Sequence, residues 1–74
     1  MLVKRSFSLA GHRTSVALEA PFWSVLENAA AARGVSLAGL VASVDAARAP
    51  PQNLASCLRV LALHESRDKN LESG

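Results

Sequence analysis

The chain is short and rich in small apolar residues. It has 74 residues, half of them apolar, with three aromatic residues and one cysteine. A single cysteine excludes an intrachain disulfide and is typical of a reducing compartment, so we expect a cytoplasmic protein. A domain of this size buries only about 60% of its unfolded surface. The surplus of apolar residues therefore predicts a homodimer or a higher homo-oligomer.

The positive charge is concentrated near the N-terminus. The net charge is +2, but residues 1–18 contain Lys4, Arg5 and Arg13 and no acid, whereas residues 19–74 have five basic and six acidic residues. This asymmetry indicates an anionic partner for the N-terminal part, the alternative being an ordinary solvated surface. No stretch approaches the roughly 18 apolar residues that span a bilayer. The first residues lack the pattern of a signal peptide, so no membrane association is expected.

Two N-terminal segments, residues 3–9 and 12–19, alternate between apolar and polar residues as half-buried strands do. A two-residue turn at Ala10-Gly11 would pair Leu9 with His12. In that register the apolar positions of both strands share one face. The pairs that follow are Phe7 with Thr14, Arg5 with Val16 and Val3 with Leu18. The same alternation also fits a strand that pairs with another chain, so both arrangements remain open.

Three helices are predicted after the strands, over about residues 21–33, 37–48 and 54–65. Pro21 suits the start of the first helix, where Phe22 and Leu26 lie in the apolar stripe and Trp23 flanks it. Gly34 is a typical stop, and Ser36 and Asn53 are typical N-caps. Pro50-Pro51 separates the second and third helices. These elements predict one α+β domain over residues 1–66 and a polar, frayed tail over residues 67–74.

No pattern of catalytic or metal-binding residues is present. His12, His64 and Cys57 lack the close ligand spacing of known zinc sites. The glycines form no phosphate-binding loop, and no motif combines serine, histidine and an acid. We therefore expect no enzyme activity, catalytic residue, metal or cofactor.

Arg13 is the residue that most strongly indicates a functional contact. It begins the second alternating strand, on its polar face, with Ser15 two residues further along. An arginine in this position can contact an anionic partner, and the alternative is again a solvated surface charge.

The order of strand, helix, Gly-x-Ser turn and helix, from about Arg13 to Val44, resembles the ribbon-helix-helix superfamily of the Arc/MetJ type. Several local motifs also resemble a small bacterial branch of ribbon-helix-helix-like proteins, and together they cover nearly the whole chain. These are Lys4-Arg5-Ser6, Gly11-His12-Arg13-Thr14-Ser15, Leu18-Glu19, Phe22-Trp23, Asn53-Leu54-Ala55-Ser56 and Leu58-Arg59-Val60.

The resemblance implies an intertwined homodimer in which strands of two chains form a ribbon that enters the major groove of double-stranded DNA. Arg13 and Ser15 would then face the bases, and the N-terminus of the second helix at Ser36 would hold a phosphate. Lys4 and Arg5 would neutralise the DNA backbone. We therefore expect a small transcriptional regulator. The alternative is a protein-interaction or assembly module, antitoxin-like, that keeps the dimer fold and binds a protein partner instead of DNA.

Overall fold

The computed structural model describes residues 1–49 and 53–73, and side chains as far as residue 66. It has the predicted α+β architecture, a two-stranded antiparallel sheet followed by three helices. The elements are β1 Leu2–Leu9, β2 His12–Glu19, α1 Ala20–Arg33, α2 Leu37–Ala47 and α3 Leu54–Ser73.

β1 and β2 form a hairpin within one chain, which resolves the alternative that the alternation left open. Leu9 pairs with His12 and Phe7 with Thr14, so the predicted register is confirmed. The turn residues Ala10 and Gly11 have φ angles of 51° and 82°. Two successive positive φ angles are what a type I′ turn requires, and this turn matches the twist of the strands that it joins.

One face of the hairpin packs on all three helices. Phe7, Leu9, Val16 and Leu18 are buried on this inner face. The helices contribute the rest of the core, namely Trp23, Leu26, Ala29, Ala30, Leu40, Val41, Leu54, Leu58 and Ala62. Among the described side chains, none that is polar or charged is buried. The core is therefore held by apolar burial, and polar groups are left at the surface.

Trp23 ties α1 to β1. Its indole Nε1 donates a hydrogen bond of 2.8 Å to the Val3 carbonyl, and its ring centroid lies 5.8 Å from that of Phe7. Trp23 is more deeply buried than Phe22, the reverse of the expectation for α1, since Trp23 is 2% exposed and Phe22 is only half-buried. The hydrogen bond satisfies the one polar atom of the indole, which allows the larger ring to occupy the core.

The predicted stop at Gly34 and the predicted N-caps at Ser36 and Asn53 are confirmed by their capping bonds. Gly34 has a φ of 71°, and its N–H and that of Val35 donate to the carbonyls of Ala31 and Ala30, as in a Schellman motif. The Ser36 hydroxyl accepts from the Gly39 N–H at 2.9 Å. The side-chain Oδ1 of Asn53 likewise accepts from the Ser56 N–H, at 2.8 Å.

α3 is longer than expected, since it continues to Ser73 instead of ending near residue 65. Residues 66–73 contain no glycine or proline that would stop a helix, and charge alone does not end one. Pro50 and Pro51 lie outside the described residues. The domain boundary at residue 66 stays a prediction.

None of the described helices has the length and apolarity to cross a bilayer on its own. α1 and α2 meet those criteria only as a pair, and their axes are bent by 96° at the break between them.

Val16 and Ser15 provide a test of the hairpin's orientation, because they are neighbours on opposite faces. Val16 is 4% exposed, and Val16→Asp would bury an unpaired charge, so we expect this variant not to fold. Ser15 is exposed, and Ser15→Asp should keep the wild-type helical signal and melting transition. Circular dichroism with thermal unfolding measures both, and a more damaging Ser15→Asp would mean that the two faces are exchanged.

Candidate nucleic-acid interface

The outer face of the hairpin, opposite the core, is polar and basic. β1 contributes Lys4, Ser6 and Ser8, and β2 contributes Arg13 and Ser15. All five residues are exposed. Leu2, Ala17 and Glu19 complete the outer face at the end distant from the turn. Half of these side chains are small, so a partner surface can approach the middle of the strands closely.

Four arginines of the chain are paired with four acids. Three pairs join different elements, and one lies at the end of α2. The pairs are Arg5–Glu27 at 3.4 Å, Arg33–Glu65, Arg48–Asp45 at 2.9 Å and Arg59–Glu19 at 3.2 Å. Every acidic side chain up to residue 66 thus has an arginine partner.

Lys4 and Arg13 are the exception among the lysines and arginines up to residue 66. Neither makes an ion pair with a described residue, and both lie on the outer face. Lys4 stands opposite Ala17 in the ladder and Arg13 opposite Ser8, so neither meets an acid across the strands. The uncompensated positive charge of this part of the chain is therefore concentrated on the outer face.

Glu19, the one acid on the outer face, is held by Arg59 of α3. The Arg59 guanidinium donates two hydrogen bonds to its carboxylate, at 3.2 and 3.4 Å. Hydrogen bonding to the backbone N–H of Glu19, and then to Arg59, lowers the pKa of the Glu19 carboxyl below its ordinary value. The carboxylate is charged at neutral pH, but Arg59 opposes its repulsion of an anionic partner.

A hydroxyl pair joins the two strands at the middle of the outer face. Ser6 and Ser15 are directly opposite, and their Oγ atoms are 3.1 Å apart in a hydrogen bond that either can donate. Ser6 therefore restricts the orientation of the Ser15 hydroxyl. Ser6 and Ser8 are absent from the predicted site, although the strand alternation already places them on the same face as Lys4.

Arg5 lies on the other face of the hairpin from Lys4 and Arg13. Its guanidinium carbon is 5.2 Å from the centroid of the Trp23 ring, and it pairs with Glu27 of α1. The alternation of the strand had already placed it among the inward positions. These contacts assign Arg5 a role in the packing of β1 on α1, and its contact with DNA stays a prediction.

Ser36 lies at the start of α2 and is exposed. Its hydroxyl is engaged in capping Gly39, so any phosphate contact there would fall to the backbone. The N–H groups of Leu37 and Ala38, the first two of the helix, have no intrahelical partner. These groups, with the positive end of the helix dipole, are suited to an anion.

Within residues 1–49 and 53–73 no cluster of three histidine, cysteine or acidic side chains is placed to hold a metal ion. His12 is at the turn end of β2, whereas Cys57 and His64 are on α3. What the outer face offers chemically is therefore cationic groups and hydrogen-bond donors.

A family model described as a ribbon-helix-helix domain matches residues 2–66. No curated protein and no solved structure matches the chain.

Lys4 and Arg5 are adjacent cations with different partners, which makes them a matched pair for stability measurements. Arg5→Ala removes a cation over an aromatic ring and a partly exposed ion pair, so we expect it to lower the free energy of unfolding by about 1 kcal/mol. Lys4→Ala should change it by less than about 0.5 kcal/mol. Urea denaturation measures both. Equal losses would contradict the assignment of Arg5 to packing.

Proposed function

The chain belongs to the ribbon-helix-helix family, whose domains generally bind DNA as dimers in transcription regulators, and we propose that it is a small transcriptional regulator of this kind. It acts as a cytoplasmic homodimer that reads the major groove of double-stranded DNA with a β-ribbon. Domains of the family are typically regulatory modules without enzyme activity.

The position of the unpaired cations is the observation that carries this proposal. Lys4 and Arg13 share an exposed face with several small side chains, whereas each acid up to residue 66 is paired with another arginine. A phosphate backbone supplies the negative charges that such a face lacks. In a two-fold dimer each cation occurs twice, so the outer face would carry at least four uncompensated charges.

The free edge of β2 is the surface that supports the proposed dimer. Leu9 and His12 flank the two-residue turn and are hydrogen-bonded to each other. From this pair onward, non-hydrogen-bonded and hydrogen-bonded residue pairs alternate along the two strands, and Arg13, Ser15 and Ala17 belong to non-hydrogen-bonded pairs. The backbone groups of Arg13, Ser15 and Ala17 therefore point away from β1. They make no hydrogen bond with other described residues, which leaves an edge ready to pair with a second strand.

An open groove of about 600 Å³ runs beside this edge. It is lined by residues 14–17 of β2 and, on the other side, by Arg48, Asn53, Leu54 and Ala55. An antiparallel β2 strand from a second copy would fill the groove and satisfy the edge. The result would be a ribbon with both β2 strands at its centre.

In this ribbon Arg13 and Ser15 face the DNA. A guanidinium can donate two hydrogen bonds to guanine O6 and N7, which discriminates against other bases by about 1–3 kcal/mol. The backbone N–H groups at the start of α2, after Ser36, would receive a phosphate. Base reading thus rests mainly on Arg13, with Ser15 as a second donor or acceptor.

A protein-interaction module remains the alternative, and one observation favours it. Val60 and Leu63 are each 53% exposed on the outward side of α3, three residues apart. Exposed apolar side chains at helical spacing are typical of a surface that binds another protein. A regulator with a protein partner, as in antitoxin-like proteins, could use both faces.

The proposed dimer can be tested with two prolines at opposite edges of the hairpin. Ser15→Pro removes an N–H from the free edge of β2 and should give a monomer at micromolar concentration, because the ladder to the second copy loses a donor. Ser6→Pro is the matched control, since it removes an N–H from the outer edge of β1 and the same hydroxyl pair. Sedimentation velocity measures both. A wild-type protein that is a folded monomer, or a Ser15→Pro variant that stays dimeric, would contradict this interface.

DNA binding can be tested with a library of random duplexes at several salt concentrations. Wild-type protein should bind with an affinity that falls steeply with salt and should enrich some sequences. Arg13→Ala should abolish the enrichment. Arg33→Ala, which changes the net charge equally on the helical side, should preserve it. If wild-type protein shows no salt-dependent binding to any duplex at low ionic strength, the interaction-module alternative takes its place.

A further inference from the structure

We infer that β1 is a phosphate-contacting flank, which lies on the rims of the major groove and leaves base reading to β2. This inference rests on the proposed function and adds a division of roles within the ribbon. Lys4 and Ser8 contact the DNA backbone, and Ser6 positions the Ser15 hydroxyl.

The hairpin determines where β1 lies in the dimer. Since β1 pairs with β2 in its own chain, a dimer formed through the free β2 edges has the strand order β1, β2, β2, β1. The ribbon is then four strands wide, with each β1 as its outermost strand.

The width of this ribbon exceeds the width of the groove. Neighbouring strands lie about 4.8 Å apart, so the axes of the two β1 strands are about 14 Å apart. The major groove is about 12 Å wide and admits a two-stranded ribbon. The central β2 strands therefore enter the groove, and the β1 strands lie over the two phosphate backbones that border it.

The side chains of β1 fit that position. Lys4 is exposed and unpaired, and it stands opposite the small Ala17, so its ammonium group has free access to a phosphate. Ser8 is exposed opposite Arg13 and can donate its hydroxyl. The two residues lie about 13 Å apart along β1, so they contact different phosphates.

Ser6 has a different role because its hydroxyl already has a partner. It is hydrogen-bonded to Ser15 at 3.1 Å, across the boundary between the flank and the base-reading strand. Ser6 is thus a positioning residue. Its removal should alter the sequence preference carried by Ser15 rather than the affinity for all sequences.

Binding of the random duplex library by Lys4→Met, Ser8→Ala and Ser6→Ala distinguishes these roles. Lys4→Met should reduce the slope of log affinity against log salt by about 2, since each of two lost phosphate contacts contributes roughly 0.9. Ser8→Ala should weaken binding roughly tenfold on all sequences, because two hydrogen bonds are lost per dimer. Both should leave the enriched sequences unchanged. Ser6→Ala should change the enrichment at the position read by Ser15, and Ser24→Ala, an exposed serine on α1, should change nothing.

The outcomes separate the flank from the proposed function. Suppose that wild-type protein binds and Arg13→Ala loses sequence preference, but Lys4→Met and Ser8→Ala bind like wild type. The proposed phosphate contacts of β1 are then wrong, and the proposed DNA binding stands. If Lys4→Met or Ser8→Ala changes the enriched sequences, β1 enters the groove, which also overturns the flank. If wild-type protein binds no duplex, both proposals fail together.

Discussion

The register of the β1–β2 hairpin is the constraint on which the rest of the structure depends. A slip of one residue would exchange the faces of a strand, burying Lys4 and exposing Phe7. The positive-φ turn and the burial of four apolar side chains hold the register. Trp23 reinforces it by donating its indole N–H to Val3 and packing on Phe7. Both strands of the hairpin keep a free outer edge, and the open groove beside residues 14–17 favours the edge of β2 for pairing with a second copy.

The ion pairs of the chain leave net positive charge on one surface, the outer face of the hairpin. Up to residue 66, four arginines pair with acids: Arg5 on the inner side of the hairpin, Arg33 and Arg48 at the ends of α1 and α2, and Arg59 with Glu19 at the end of the outer face. Among the lysines and arginines up to residue 66, the two that have no acidic partner, Lys4 and Arg13, both project from the outer face. The modest net charge of the chain therefore understates the local field, since a small excess in one place attracts an anionic partner more strongly than the same excess spread evenly. Arg59, which lies on α3, supports this positive field because it opposes the negative charge of Glu19.

Local pattern predicts the strand register, the helix starts and the outer position of Arg13, because alternation and capping depend on neighbours in sequence. It leaves open whether β1 pairs with β2 of the same chain, which the structure shows. The Arg59–Glu19 pair was beyond such reasoning, since forty residues separate its members. Charge alone groups Arg5 with Lys4, whereas the alternation of the strand places Arg5 on the opposite face, where the structure shows it over Trp23. The polar composition of the last residues predicts a helix end near residue 65, but α3 continues to Ser73 because no glycine or proline interrupts it.

Nuclear magnetic resonance of the isotope-labelled protein, titrated with a duplex enriched from the library, tests the central claim most directly. Backbone amide signals of the outer face, from Lys4 to Ser8 and from Arg13 to Ala17, should shift together with those of Leu37 and Ala38 at the start of α2. Signals on the outward side of α3, around Val60 and Leu63, should stay unchanged. Shifts confined to α3, or no shifts at low salt, would contradict the account of the hairpin as the DNA-binding surface.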